Sequence, residues 1–228
     1  MSERFLILCR NLNPAAARLK EVLSEFGPAD VIIDERSADG TLESQMAGYH
    51  RLAGFTLDCK PITAWERAFF QLEATICNDS SNIWFVEDDV AGNRESFASL
   101  VKRTQEVNAD LSARHFFGMA SNRLWPHWWH ARDYFDFPYR SFNPLCRLSS
   151  SLLKTVLDFR ASHQRFVFQE VLFASVAALH DMTYFDWMAD ETAAPLFGEF
   201  RFRPEVTAVG TGISHPVKNP SIHQHLCS

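Results

Sequence analysis

The apolar run Ile83-Trp84-Phe85-Val86 ends in three consecutive acids, Glu87-Asp88-Asp89. Four large apolar residues in a row, without helical spacing, predict a strand buried on both faces of a parallel sheet. Three adjacent carboxylates at its end repel one another and lose hydration. A cation compensates such a group most readily, and hard divalent ions prefer oxygen ligands. In open α/β sheets the carboxyl ends of the strands also form the ligand crevice. The chemistry indicated is metal-assisted. The same acids read equally as a helix cap or a solvated loop, because Asn93-Arg94-Glu95 is a plausible helix start.

The elements that must position these acids follow from spacing. Phe5-Leu6-Ile7-Leu8-Cys9 predicts a first strand, and Asn13-Pro14 an N-cap and first helical residue. Ala17, Leu19, Val22, Leu23 and Phe26 mark the helix, which Gly27-Pro28 breaks. Val31-Ile32-Ile33 is a second strand ending at Asp34-Glu35. Strand–helix–strand is the signature of a parallel α/β sheet. A helix with Trp65, Phe69, Leu72 and Ile76 on one face precedes the acid-tipped strand at 82–87. Another helix through Phe97, Leu100, Val101 and Val107 follows, then a strand near His115–Gly118.

The second half changes character. Residues from Leu124 to Tyr139 form a dense aromatic loop region, readable as a sugar-stacking surface, a membrane-interface contact or a buried lid. Ser149 or Ser150 caps a helix through Leu152, Leu153, Val156 and Leu157, and a second runs from Phe168 to Leu179 with Glu170 near its start. Short strand-like pieces lead to Gly212-Ile213-Ser214-His215-Pro216-Val217-Lys218. No linker or repeat is visible. The expectation is one domain, with an α/β half over 1–118 and a mixed half over 119–228.

Composition narrows the class. With 46% hydrophobic and 22% charged residues the 228-residue chain has an ordinary globular balance. The net charge of −6 argues against a nucleic-acid binder yet leaves room for a nucleotide pocket. Five cysteines without a CxxC pair read as reduced thiols rather than a zinc site. The start of the chain shows no long apolar leader, so the expected location is cytoplasmic, at most peripheral to a membrane.

The order of these features resembles a GT-A-fold glycosyltransferase. The residues that carry the resemblance are the two opening strands, Trp65-Glu66-Arg67-Ala68, Trp84-Phe85-Val86-Glu87-Asp88-Asp89-Val90, Glu170 and His215-Pro216-Val217-Lys218. It covers most of the chain in outline, and Glu87 departs from a strict DxD motif. The resemblance implies a Rossmann-like, mostly parallel sheet with helices on both faces and an acceptor-binding second half. It also implies a nucleotide diphosphate sugar donor, a UDP-sugar in first place, a glycan or lipid-linked acceptor, and Mn²⁺ or Mg²⁺.

The residue roles follow from it. Asp89, with Asp88 second, and a neutral His215 would hold the ion, which stabilises the diphosphate leaving group. Lys218 and Arg67 would approach the phosphates or sugar, Arg10 would pair with phosphate, and Asp34 would read ribose or base. Lys60 stands just ahead of the acid strand on the donor side. Glu170 would be the general base toward the acceptor hydroxyl, or else an ordinary stabiliser of its helix N-terminus. A nucleotidyltransferase is the alternative enzyme, disfavoured because Arg10-Asn11-Leu12-Asn13 lacks a glycine-rich phosphate loop. A catalytically silent binding protein is the other alternative.

Overall fold

A computed structural model describes residues 2–33, 64–75, 82–121, 125, 128, 131–163, 167–207 and 210–228. The first strand, β1 (Glu3–Cys9), alternates between two cores. Phe5, Ile7 and Cys9 face one, while Leu6 and Leu8 face the other. Burial on both sides explains why its sequence is apolar without a break. Helix α1 (Pro14–Leu23) follows, its first turn fixed by Asn13, whose side-chain oxygen accepts the Ala16 N–H at 2.9 Å. Strand β2 (Ala29–Ile33) then pairs in parallel with β1, Phe5 opposite Ala29.

Helix α2 (Ala64–Thr75) buries Trp65, Phe69 and Leu72, three of the four residues that its spacing predicts. The acid-tipped strand is β3 (Asn82–Glu87), parallel to β1 on the side away from β2. Helix α3 (Arg94–Val107) takes its cap from Asn93, whose side chain accepts the Ser96 N–H at 2.8 Å. The cap reading of Glu87-Asp88-Asp89 is thereby removed for this helix. Strand β4 (Leu111–Gly118) is longer than its sequence pattern suggests.

A strand not anticipated from the sequence stands in the middle of the sheet. β5 (Tyr139–Leu148) runs antiparallel to both β3 and β4, between them. Its apolar pattern is broken by Ser141, Asn143, Pro144 and Arg147, which hides it. Asn143 Nδ2 donates to the Gln169 carbonyl at 3.2 Å, while the Ser141 hydroxyl is buried without a hydrogen-bond partner among the described residues. Arg147 is fully buried but meets Glu3 at 3.4 Å and donates to the Ala109 carbonyl at 2.7 Å. Glu3 in turn accepts from Trp84 Nε1 at 2.8 Å and Asn82 Nδ2 at 3.1 Å. Pro144 falls where the β4–β5 register shifts, so no ladder bond needs its missing N–H.

Helices α4 (Ser150–His163) and α5 (Gln169–Leu179) follow, then β6 (Tyr184–Asp186), parallel to β4 at the sheet edge. Ser149 caps α4, its hydroxyl accepting the Leu152 N–H at 3.1 Å. The strand order is β2-β1-β3-β5-β4-β6, and only β5 opposes the common direction. The sheet is therefore mixed but mostly parallel. Helices α2, α4 and α5 cover one face, α1 and α3 the other. Because β5 lies between β3 and β4, the two halves of the chain share one sheet.

A small parallel pair, β7 (Phe197–Phe200) and β8 (Ile213–His215), and a terminal helix α6 (Pro220–Leu226) complete the described elements. Of the aromatic loop region, Trp128 is buried in the α2–α4–α5 core and Trp125 packs edge-on against it at 4.9 Å. Those two side chains belong to the lid reading. No helix among the described residues is long and apolar enough to cross a membrane.

Candidate metal and catalytic site

Glu87 is the last residue of β3, and the chain beyond it keeps to the sheet for one more bond. The Asp88 N–H donates to the Leu8 carbonyl at 3.0 Å, and the Val90 N–H closes a turn on the Glu87 carbonyl at 3.0 Å. Asp88 and Asp89 are the two central residues of that turn, just past the end of the strand. The turn brings the Glu87 and Asp89 carboxylates to one place, while the Asp88 carboxylate accepts a hydrogen bond from Asn13 Nδ2 at the mouth of α1.

The chain near residue 215 is brought to this turn by backbone pairing. Ala91 and Ser214 exchange both N–H···O bonds, at 2.9 and 2.7 Å, and the Val217 N–H donates to the Asp89 carbonyl at 2.7 Å. As a result His215 Nε2 lies 3.2 Å from Asp89 Oδ1 and 3.6 Å from Glu87 Oε2. One ligand atom from each of Glu87, Asp89 and His215 falls within 4.8 Å of the others. The other ring nitrogen, Nδ1, is 2.8 Å from the Arg201 carbonyl. A carbonyl only accepts, so Nδ1 carries the hydrogen and Nε2 is the atom offered to the carboxylates.

Two carboxylates and an imidazole lone pair cannot converge without a positive charge between them. A proton supplies it in the metal-free protein. Burial opposes protonation of His215, but its hydrogen bonds to Asp89 and Glu87 outweigh that and raise its pKa to about 9. The donor set itself, two oxygens and one imidazole nitrogen with its second N–H anchored on the backbone, suits Mn²⁺ or Mg²⁺. Trp65 orients the outer carboxylate, its Nε1–H donating to Glu87 Oε1 at 3.1 Å while the ring stacks on Phe85 at 5.1 Å. Burial likewise lifts Asp88 to about 6, against the Asn13 hydrogen bond and helped by the charges of Asp89 and Glu87.

Glu170 occupies the first turn of α5 and is buried. Burial raises its pKa to about 8, although Arg140, the Asn143 backbone N–H and His215 all favour its charged form; Glu87 adds to the rise. It is thus within electrostatic reach of the metal-type group. A carboxyl with a proton affinity near neutrality beside such a group has the properties of a catalytic acid or base.

The remaining sequence-predicted residues are dispersed. Arg10 is exposed just after β1, and Lys218 is exposed three residues past His215. Arg67 is buried on α2, two residues after Trp65. Asp34 and Lys60 lie outside the described residues. The structure groups Glu87, where the motif reading prefers Asp88, with Asp89 and His215. The turn that brings Glu87 and Asp89 together follows the strand and is not marked by the side-chain pattern. Asn13, Trp65 and Arg140 are further contributors; the sequence marks Asn13 as a cap and Trp65 as a helix-face residue, and nothing in it marks Arg140.

A scan of protein-family models finds none that matches this chain, and a search of curated proteins finds no match either.

Proposed function

We propose that the protein is a glycosyltransferase of the GT-A type, moving a sugar from a nucleotide diphosphate sugar, UDP-linked in first choice, to a glycan or lipid-linked hydroxyl. The observation that carries the reading is the convergence of Glu87, Asp89 and His215 at the C-terminal edge of a mostly parallel sheet, with Glu170 in electrostatic reach. That edge is where open α/β sheets bind their ligands.

Mn²⁺ or Mg²⁺ held by Glu87, Asp89 and His215 would supply Lewis-acid neutralisation of the diphosphate as the glycosidic bond breaks. Asp88 stands behind these three, tied to Asn13, and adds negative charge without sharing their face. Lys218 and Arg10, both exposed near the ends of β8 and β1, are free to meet donor phosphates from solvent. Glu170 takes the proton of the acceptor hydroxyl as that oxygen bonds to the anomeric carbon and the sugar–diphosphate bond breaks. Positive charge among Glu87, Asp89 and His215 favours the ionised form of Glu170, so a loaded donor site readies the base.

The experiment is a panel of nucleotide sugars assayed for hydrolysis and transfer with Mn²⁺ and with Mg²⁺. Turnover of one donor is expected, with Glu170→Gln lowering the rate about 100-fold or more while donor binding stays unchanged. Full activity in Glu170→Gln would remove the base assignment. Absence of turnover across the panel with either ion would remove the reading.

A further inference from the structure

Two arginines at the same edge of the sheet are stacked on aromatic rings rather than paired with acids. Arg140, near the start of β5 and opposite Phe117 of β4, places its guanidinium 4.6 Å from the Trp125 ring centroid and 5.8 Å from that of Phe117. Arg114 of β4 lies 5.5 Å from the Phe200 centroid, and its Nε is buried with no hydrogen-bond partner. Among the described residues neither guanidinium forms an ion pair or a hydrogen bond to a carboxylate, although the charges of Asp186 and Glu170 act on Arg114 and Arg140 respectively. Other arginines of the chain do: Arg4 with Asp30, Arg103 with Asp190, Arg147 with Glu3 and Arg201 with Glu199.

Stacking engages the flat face of a guanidinium and leaves its in-plane N–H donors at the rim. Partly buried donors without an acceptor cost free energy, and the fork they form matches a carboxylate or phosphate. The location matches as well. β3 and β4 run the same way, so the end of β4 and the start of β5 lie at the edge that carries Glu87. Arg140 is the strongest charge acting on Glu170, and Phe200 beneath Arg114 packs on the His215 ring at 5.4 Å. His115, between them in charge, feels both arginines. The ends of β1 and β2, on the other flank of β3, are left for the donor.

We propose that Arg140, with Arg114 as a second contact, binds an anionic group, phosphate or carboxylate, on the acceptor sugar. The word acceptor rests on the transferase reading; the anion subsite itself does not. It is tested on the protein without divalent ion or nucleotide, at low ionic strength, by calorimetric titration with glucose 6-phosphate, glucuronate and glucose. One of the two charged sugars is expected to bind about tenfold or more tighter than glucose. The phosphate or the carboxylate arm, whichever leads, identifies the group. Arg140→Gln should erase the preference, Arg140→Lys should keep part of it, and Lys154→Gln at the opposite edge of the sheet should leave it intact. Equal binding of all three sugars to the unmodified protein overturns the proposal whatever the variants do, as does a preference that Arg140→Gln leaves unchanged. Either failure leaves metal-dependent donor binding untouched, so the two readings fail separately.

Discussion

His215 has one ring nitrogen committed to the Arg201 carbonyl and the other held against Asp89 and Glu87, and this division governs the response to pH. In the metal-free protein its pKa is about 9, so a divalent ion must displace a proton. Mn²⁺ affinity should therefore rise about tenfold per pH unit up to about 9 and then level off. A flat profile from pH 6 upward would contradict this. The same shift sets stability. The folded value lies above the ordinary 6.5, so the contribution is complete below pH 6.5 and lost as pH rises through about 9. Glu170 acts in the same sense, from its ordinary 4.5 to about 8, because the folded state again binds the extra proton. Thermal unfolding of the protein in a chelator should show stability falling across this range. Glu170→Gln should remove Glu170's share of the decline, between pH 4.5 and about 8, and leave the share of His215 up to about 9. A Glu170→Gln variant whose stability profile between pH 4.5 and about 8 matches that of the wild type would refute the Glu170 assignment.

The elements decide whether those side chains meet. His215 reaches the acids only because the chain around β8 pairs with the turn after β3, through backbone bonds at Ala91, Ser214 and Val217. Gly212, at φ +83°, enters that strand, and a Cβ there would come within 2.6 Å of the Leu196 carbonyl oxygen. Gly212→Ala should weaken Mn²⁺ binding about tenfold or more by displacing His215, while the β1–β2–β3 core keeps its unfolding midpoint within a few degrees. Wild-type Mn²⁺ affinity in that variant would show that β8 does not position the histidine. Asn13 joins two elements, capping α1 and bonding Asp88, so Asn13→Ala should cost about 0.5–2 kcal/mol in denaturant unfolding. The opening strands and their helices were legible because β1 is apolar without a break while Phe69, Phe97 and their partners repeat at the helical period. β5 was not, since its apolar run is interrupted by buried Ser141, Asn143 and Arg147, and the partners of Asn143 Nδ2 and Arg147 (the Gln169 carbonyl and Glu3) lie far away in sequence. Nor was the 91–214 pairing, because backbone hydrogen bonds leave no mark on side-chain composition.

At the scale of the whole molecule, β5 ties the second half of the chain into the sheet, with Arg147 near its C-terminal end locked to Glu3 at the start of β1. Removing one partner of such a pair strands a buried charge, so Arg147→Ala should lose about 3–5 kcal/mol in urea unfolding. A loss below 1 kcal/mol would mean that the pair is not what holds β5 in place. The fold thereby delivers Asp89 and His215, 126 positions apart, to one point at the sheet edge, where His215 Nε2 lies 3.2 Å from Asp89 Oδ1. The claim that this point grips a cation for a nucleotide diphosphate is tested most directly by titrating the protein with UDP in the presence and absence of Mn²⁺, alongside Asp89→Ala and His215→Ala. The account predicts UDP binding that requires Mn²⁺ and disappears in both variants. UDP binding of equal strength with and without Mn²⁺, or full Mn²⁺ dependence surviving in Asp89→Ala, would contradict it.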